Sequence, residues 1–142
     1  MEVVCMIELE ATVEVLVAYH DCDPAGVVWH GNYLRYFDKA RCVLLDKINY
    51  GYIEMEKAGH VWPVIDANVR YLKTVGFDEK IQVTARLEEY EYRLKLSYQV
   101  HNSAGALVTK GMTVQVAVNK ETEEMCMGSP RVLFERLGIE YV

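Results

Sequence analysis

Followed for the spacing of its apolar positions, the chain reads as a strand, a long helix and then a series of strands. Residues 12–20, TVEVLVAYH, put Val13, Val15, Val17 and Tyr19 on one face. Leu16 and Ala18 make the other face largely apolar too, which predicts a strand buried on both sides. From Asn32 the period becomes helical. Leu34, Phe37, Arg41, Leu44 and Ile48 recur at three- and four-residue steps, broadened by Ala40 and Val43, with Arg35, Asp38, Lys39, Asp46 and Asn49 opposite. Asn32 suits the N-cap, and Asn49-Tyr50-Gly51 supplies a stop. About 18 residues at ~1.5 Å each make a rod of roughly 27 Å, long enough to be the central element. Residues 52–59 predict a short helix ending at Gly59, and the first ten residues have no clear pattern.

Beyond residue 60 the period falls to two. Ile65, Ala67, Val69 and Tyr71 alternate with Asp66, Asn68 and Arg70. Ile81, Val83, Ala85 and Leu87 alternate with Gln82, Thr84, Arg86 and Glu88. Tyr92, Leu94, Leu96, Tyr98 and Val100 form the inward set of a third strand, with Arg93, Lys95, Ser97, Gln99 and His101 outward. After an Asn102–Gly105 turn, residues 106–118 predict a long strand with Val108, Met112, Val114, Val116 and Val118 on its inner face. Pro130 opens a terminal helix, Arg131 to Leu137, closed by Gly138. One helix must bury its stripe against the apolar face of a five-stranded sheet, four strands of which form an antiparallel meander. The expectation is one α+β domain over residues 1–142, with no repeat or linker.

Composition narrows the class. An apolar share of 51% with 25% charged residues suits a soluble globular domain. A net charge of −6 argues against a nucleic-acid partner, and no apolar run approaches the roughly 20 residues of a membrane helix. Residues 1–10 carry three glutamates and no basic residue, unlike a secretory signal, so a cytoplasmic location is expected. Cys5, Cys22, Cys42 and Cys126 lie far apart without a CxxC pair, so neither a disulfide framework nor a metal site is expected. Cys22, between two aspartates, is a poor nucleophile because the carboxylates disfavour its thiolate.

The chemistry-bearing stretch is Tyr19–Arg41, YHDCDPAGVVWHGNYLRYFDKAR. Asp21 and Asp23 sit in a loop turned by Pro24, Ala25 and Gly26, just ahead of the long helix. A helix start offers free backbone N–H groups and partial positive charge that polarise a carbonyl. A carboxylate beside it can attack that carbonyl or activate water. The plainer reading of Asp23 is a turn starter before proline.

This stretch resembles the opening of hotdog-fold acyl-CoA thioesterases of the 4-hydroxybenzoyl-CoA thioesterase family, with a pattern close to D-x-D-x-x-G-(V/I)-V-(Y/W)-x-x-N-Y and a following A-R pair. Asp21, Asp23, Gly26, Val27, Val28, Trp29, Asn32, Tyr33, Ala40 and Arg41 match it. His30 with Gly31 and Asn32 leans toward bacterial short-chain acyl-CoA thioesterases, whereas Cys-Asp-Pro-Ala-Gly leans toward the 4-hydroxybenzoyl-CoA branch. The resemblance implies a hotdog fold, a long central helix wrapped by a five-stranded antiparallel sheet. It also implies a homodimer or homotetramer with sites at the dimer interface, and no metal or prosthetic group, coenzyme A being part of the substrate.

Carried over residue by residue, the resemblance makes Asp23 the catalytic carboxylate and gives the backbone N–H of His30 the carbonyl oxygen. The His30 side chain would orient Asp23 or a water. Asp21 holds the loop. Trp29 and Asn32 are candidate substrate contacts, as are Trp62 and Tyr36, although aromatic residues beside such a helix are mostly core. Arg93 is the first candidate for the CoA phosphates, with Lys73 and Lys95 behind it. Asp38 reads as a helix-face partner of Arg35, Lys39 or Arg41. Two rival classes share the fold: a non-catalytic acyl-CoA or acyl-carrier binding module, and an enoyl-CoA hydratase or dehydratase using His30 with Asp38.

Overall fold

The helical period beginning at Asn32 is realised as α1, Asn32–Lys47, 16 residues and roughly 24 Å long. A computed structural model describes residues 7–141. The remaining elements are β1 (Glu10–Leu16), α2 (Tyr52–Lys57), β2 (His60–Val61), β3 (Val64–Tyr71), β4 (Lys80–Glu89), β5 (Leu94–His101), β6 (Leu107–Gln115), β7 (Val118–Asn119) and α3 (Arg131–Leu137). A single turn of 3-10 helix covers Tyr19–Asp21. The five-stranded sheet has the order β1-β4-β5-β6-β3 with every pairing antiparallel, and β2 pairs with β7 in a small second sheet. With α1 packed across its inner face, this is the hotdog fold. No described helix is long and apolar enough to cross a membrane.

The core lies between α1 and the inner face of the sheet. Phe37, Ala40, Leu44 and Leu45 of the helix are buried against Ile81, Val83, Ala85, Leu96, Tyr98 and Val100. Burying each of the larger apolar side chains is worth about 1.5–3 kcal/mol. Phe37 stacks on Tyr98 with ring centroids 4.3 Å apart and planes within 7°. The buried stripe is rotated from the expected one: Tyr33, Tyr36 and Leu45 turn inward, while Leu34 and Val43 are exposed. Arg41 does lie on the buried face at 2% exposure, with Nη2 3.0 Å from Asp38 and donating also to the Tyr52 hydroxyl. Asp38 is therefore the helix-face partner expected of it.

Four expectations about the strands are corrected. β1 ends at Leu16, short of Tyr19, and is buried only on the face of Ala11, Val13 and Val15, because α1 covers the sheet on that side. The last four strands are not a simple meander. β4, β5 and β6 are, but β3 crosses over to pair with β6 at the opposite edge. β6 is shorter than expected and its faces are interchanged. The register skips a residue between Val100 and His101, so Thr109, Gly111, Thr113 and Gln115 align with Val100, Tyr98, Leu96 and Leu94 on the helix side. Met112 and Val114 alternate with them, Val114 being buried nonetheless, while Val108, at the bulge, is buried in the core as expected. Polarity is tolerated there because it is bonded: Thr113 pairs with the Tyr98 hydroxyl at 2.7 Å, and Gln115 donates to the Trp62 carbonyl at 2.7 Å. Gly111 is required for space, since a Cβ there would meet the Asn68 carbonyl and the Phe37 ring. Tyr92, expected on an inward face, lies outside β5 and is exposed. The terminal helix begins and ends as expected, with Gly138 left-handed at φ 74°.

Burial, opposed by the Thr113 hydrogen bond and by Arg41, pushes the Tyr98 phenol up to about 12. Unfolded tyrosine ionises near 10. The resulting contribution to stability is complete below about pH 10 and is lost as the pH rises through about 12. Unfolding free energy measured in urea across that window falls with pH, and Tyr98→Phe makes the fall shallower.

Candidate active site

The loop between β1 and α1 is built around Asp21, which is buried. Its Oδ2 accepts the Tyr36 hydroxyl at 3.0 Å and the Ala18 N–H at 3.2 Å, and Oδ1 lies 3.6 Å from Arg35. Its backbone carbonyl accepts the Trp29 N–H at 2.9 Å and the Asn32 side-chain amide at 2.8 Å. One residue thus ties the loop to both ends of the segment that carries Asp23 and His30. Burial and then the Asp21 hydrogen bond raise the Tyr36 phenol well above the ordinary tyrosine range, so it remains a donor.

Between these ties the chain makes a tight reversal. The Asp23 N–H donates to the Val27 carbonyl at 2.8 Å, and the Gly26 N–H returns to the Asp23 carbonyl at 2.9 Å. Gly26 has φ +81°, which an L side chain rarely adopts. Asp23 Oδ1 accepts the Ala25 N–H at 2.8 Å, the Asx-turn of the plainer reading. Its Oδ2 takes no hydrogen bond among the described residues, so the turn uses one carboxylate oxygen and leaves the other free. Val28 docks the reversal onto the β3–β4 connection, donating to Val75 at 2.8 Å.

Asp23 and His30 line one cavity of about 290 Å³, together with Val27, Val28, Tyr33, Tyr71, Lys73 and Thr74. The neighbouring amides are occupied: Val28 bonds to Val75, Trp29 to Asp21, and Asn32 to the Trp29 carbonyl. The His30 N–H has no backbone acceptor among the described residues. Gly31 caps α1 without a side-chain hydrogen bond, leaving the first turn of the helix open to a ligand. Asp23, with one carboxylate oxygen free, and His30, whose N–H has no backbone acceptor among the described residues, thus line the same cavity, the two kinds of group that acyl transfer uses.

The other expected residues are placed differently. The His30 imidazole lies 5.1 Å from the Trp29 ring and 6.4 Å from the Tyr71 ring, with no hydrogen bond to Asp23. Trp29 is half-exposed, covers Gly31 so closely that a Cβ there has no room, and does not line the cavity. Asn32 is the first residue of α1, not its cap, and its amide is committed to Asp21 and to the Arg35 guanidinium. Trp62 is core, donating to the Tyr50 hydroxyl at 3.0 Å. Arg93 pairs with Glu89 at 2.8 Å beside the β4–β5 turn. That turn is at the Val64 end of the sheet, where Leu94, Gln115 and Val64 align, whereas the cavity is at the Tyr71 end. Within one chain, Arg93 and Asp23 are not brought together. Asp38, engaged by Arg41, does not line the cavity either, so it forms no acid–base pair with His30. Cys22 behaves as expected, its thiol held up by burial and then by Asp21 and Asp23.

Lys73, a secondary expectation, does line the cavity. Tyr33, Tyr71 and Thr74 join it without having been singled out. Tyr33 carried a signal as part of the matched N-Y pair. Tyr71 carried none, because only the crossover of β3 brings it here, where its hydroxyl donates to the His30 carbonyl at 2.7 Å.

Residues 17–133 match the model of the Thioesterase-like superfamily. YneP of Bacillus subtilis (strain 168), named as a candidate acyl-CoA thioesterase, is 33% identical over 110 residues, 77% of this chain and 80% of its own. A DHNA-CoA thioesterase structure from Staphylococcus aureus superposes with a TM-score of 0.78 at 33% identity, covering 83% of this chain and 80% of that one. The 4-hydroxybenzoyl-CoA thioesterase of Pseudomonas sp. (strain CBS-3) is 26% identical over 113 residues, 78% of this chain and 77% of its own. The matched span starts at the end of β1 and reaches α3, taking in the whole Asp23 loop, and the chain belongs to the Thioesterase-like superfamily.

Proposed function

We propose that this chain hydrolyses acyl-CoA thioesters to the free acid and CoA, with Asp23 acting on the thioester carbonyl. The observation that carries the reading is the free Asp23 oxygen and the free His30 N–H on the wall of one cavity at the start of α1. The thioester oxygen lies against the His30 N–H, and a donor of this kind lowers the barrier by about 3 kcal/mol. The thiol leaving group has a pKa near 8.5, so it departs as thiolate with little need for a general acid. A single carboxylate therefore suffices. As a nucleophile, Asp23 adds to the carbonyl, thiolate leaves, and water cleaves the mixed anhydride. As a base, it takes a proton from the water that attacks. Oxygen from labelled water enters the Asp23 carboxylate in a single turnover by the first route and only the product acid by the second. Coenzyme A belongs to the substrate, and the reading uses no metal or prosthetic group. We place the reaction in the cytoplasm, in keeping with the free thiols at Cys22, Cys42 and Cys126.

We also propose that the working unit is a homodimer, itself able to pair into a tetramer, joined through β3. β3 is an eight-residue edge strand with β6 as its one neighbour. Ile65 is 59% exposed on it, with Val64 and Tyr71 also exposed, a combination that invites strand pairing. β1, the other edge, carries exposed Glu10 and Glu14. Antiparallel two-fold pairing of β3 sets the Val64 end of one sheet beside the Tyr71 end of the other. The partner subunit's Arg93 then approaches the Asp23 cavity that its own chain cannot reach.

Two outcomes follow from this reading. Thiol release from a panel of acyl- and aroyl-CoA thioesters detects turnover, and Asp23→Asn lowers kcat by about 10²–10⁴-fold. Turnover of no thioester, or an unchanged rate in Asp23→Asn, rejects the assignment. Sedimentation velocity finds a dimer or tetramer, and Ile65→Glu with Ala67→Glu yields a folded monomer.

A further inference from the structure

On the outer face of the sheet, Gln99, Lys110 and Arg70 stand side by side in register on β5, β6 and β3. Like charges directly opposite each other across two strands are destabilising. Among the described residues, neither Arg70 nor Lys110 takes part in an ion pair or a side-chain hydrogen bond. Of the 15 basic residues, Arg35, Arg41, Lys57, Arg93, Lys120 and Arg136 have carboxylate partners; Arg70 and Lys110 belong to the nine that have none among the described residues, and they are set directly opposite each other. The two cations line an open cavity of about 630 Å³ that also offers the side chains of Asn68 and Gln99, while Ser97 on its wall already donates its hydroxyl to the Glu88 carboxylate at 2.7 Å. Tyr71 borders this cavity and the Asp23 cavity alike. The two lie on opposite faces of the sheet at the same end of β3, and Lys73 stands on the connection between them.

We infer that Arg70 and Lys110 form a seat for phosphate groups, specifically those of the CoA nucleotide when its thioester occupies the Asp23 cavity. This rests on the acyl-CoA reading above. A ligand leaving the Asp23 cavity past Tyr71 rounds the carboxyl end of β3 and meets Lys73, then Arg70 and Lys110. Arg supplies a planar fork that matches phosphate oxygens, and Lys adds a point charge. Arg93 is already neutralised by Glu89, whereas these two are uncompensated until an anion arrives. The pair therefore supplies local attraction for a polyanionic substrate to a protein whose overall charge of −6 opposes it.

The test compares one acyl group on two carriers, CoA and N-acetylcysteamine, the second lacking the nucleotide. In Arg70→Gln with Lys110→Gln, KM for the CoA thioester rises roughly ten- to a hundredfold, the loss of one or two charge-assisted hydrogen bonds. Its kcat, and both constants for the short thioester, stay as in the wild type. Adenosine 3′,5′-bisphosphate binds the wild type by calorimetry and loses that binding in the variant, while inorganic phosphate binds far more weakly than the bisphosphate. Equal KM values for variant and wild type on the CoA thioester overturn the inference. So does a parallel change on both carriers, or a change in oligomeric mass as the sole effect. The bisphosphate titration needs no turnover, so it reads the seat even if the thioesterase assignment fails. Lys110→Gln alone, off the edge strand, repeats the KM comparison with the β3 edge intact.

Discussion

Asp21 is the constraint on which the site depends. A buried carboxylate is costly unless its oxygens are bonded, and here the bonds come from two directions. The Ala18 N–H approaches from the end of β1, and the Tyr36 hydroxyl from the second turn of α1. The same residue's carbonyl gathers Trp29 and Asn32. Removing any one partner leaves a buried acceptor short, so the cost of burial itself fixes how the loop enters the helix. Asp23 and the His30 N–H inherit their positions from that entry. Their own contacts are the Asx-turn and backbone bonds of Asp23 and the Tyr71 bond to the His30 carbonyl, and each keeps one polar group free.

Asp23 illustrates how a structural and a chemical role coexist in one side chain. The Asx-turn through Oδ1 fixes the rotamer, lowering the entropy lost when the carboxylate meets a substrate. Gly26, with φ +81°, closes the reversal, and Val28 pins it to Val75. The open first turn of α1 lies just beyond, with no side chain occupying its N–H groups. A capped helix start would compete with the substrate for those donors. Asn32, the residue best suited to cap, has its amide drawn away to Asp21.

Much of this was legible along the chain, and the failures have local causes. α1 showed itself because Phe37, Ala40 and Leu44 keep helical spacing. β4 and β5 did because Ile81 to Leu87 and Leu94 to Val100 alternate without interruption. The inner face of β6 was misread because a bulge at Val108 shifts the phase, and because three polar side chains and a glycine pack inward there. No window of local hydrophobicity reports a cross-strand bond such as Tyr98 to Thr113. The crossover of β3 was equally hidden, since strand alternation says nothing about which neighbour a strand chooses. Asp23 and His30 were singled out through the family resemblance of one short loop, whereas spacing alone favoured a turn starter at Asp23. Tyr71, which braces the His30 carbonyl, reaches the loop only through that crossover.

The same edge strand links the remaining features. β3 ends at the cavity, carries Arg70 on its outer face and Tyr71 on its inner face, and has an unpaired side lined by exposed apolar residues. A strand free on one side leaves its backbone N–H and C=O groups open to pairing with another strand. Covering it with a second copy relieves the edge and, by the antiparallel sense of the pairing, joins opposite ends of two sheets. In the proposed dimer, the proposed thioester site at the end of β3 would be bounded by both chains, with Arg70 and Lys110 bordering the joined sheet. In that proposed dimer, covering the edge and completing the site would be one event, because the open backbone groups of β3 flank the residues proposed to meet the substrate.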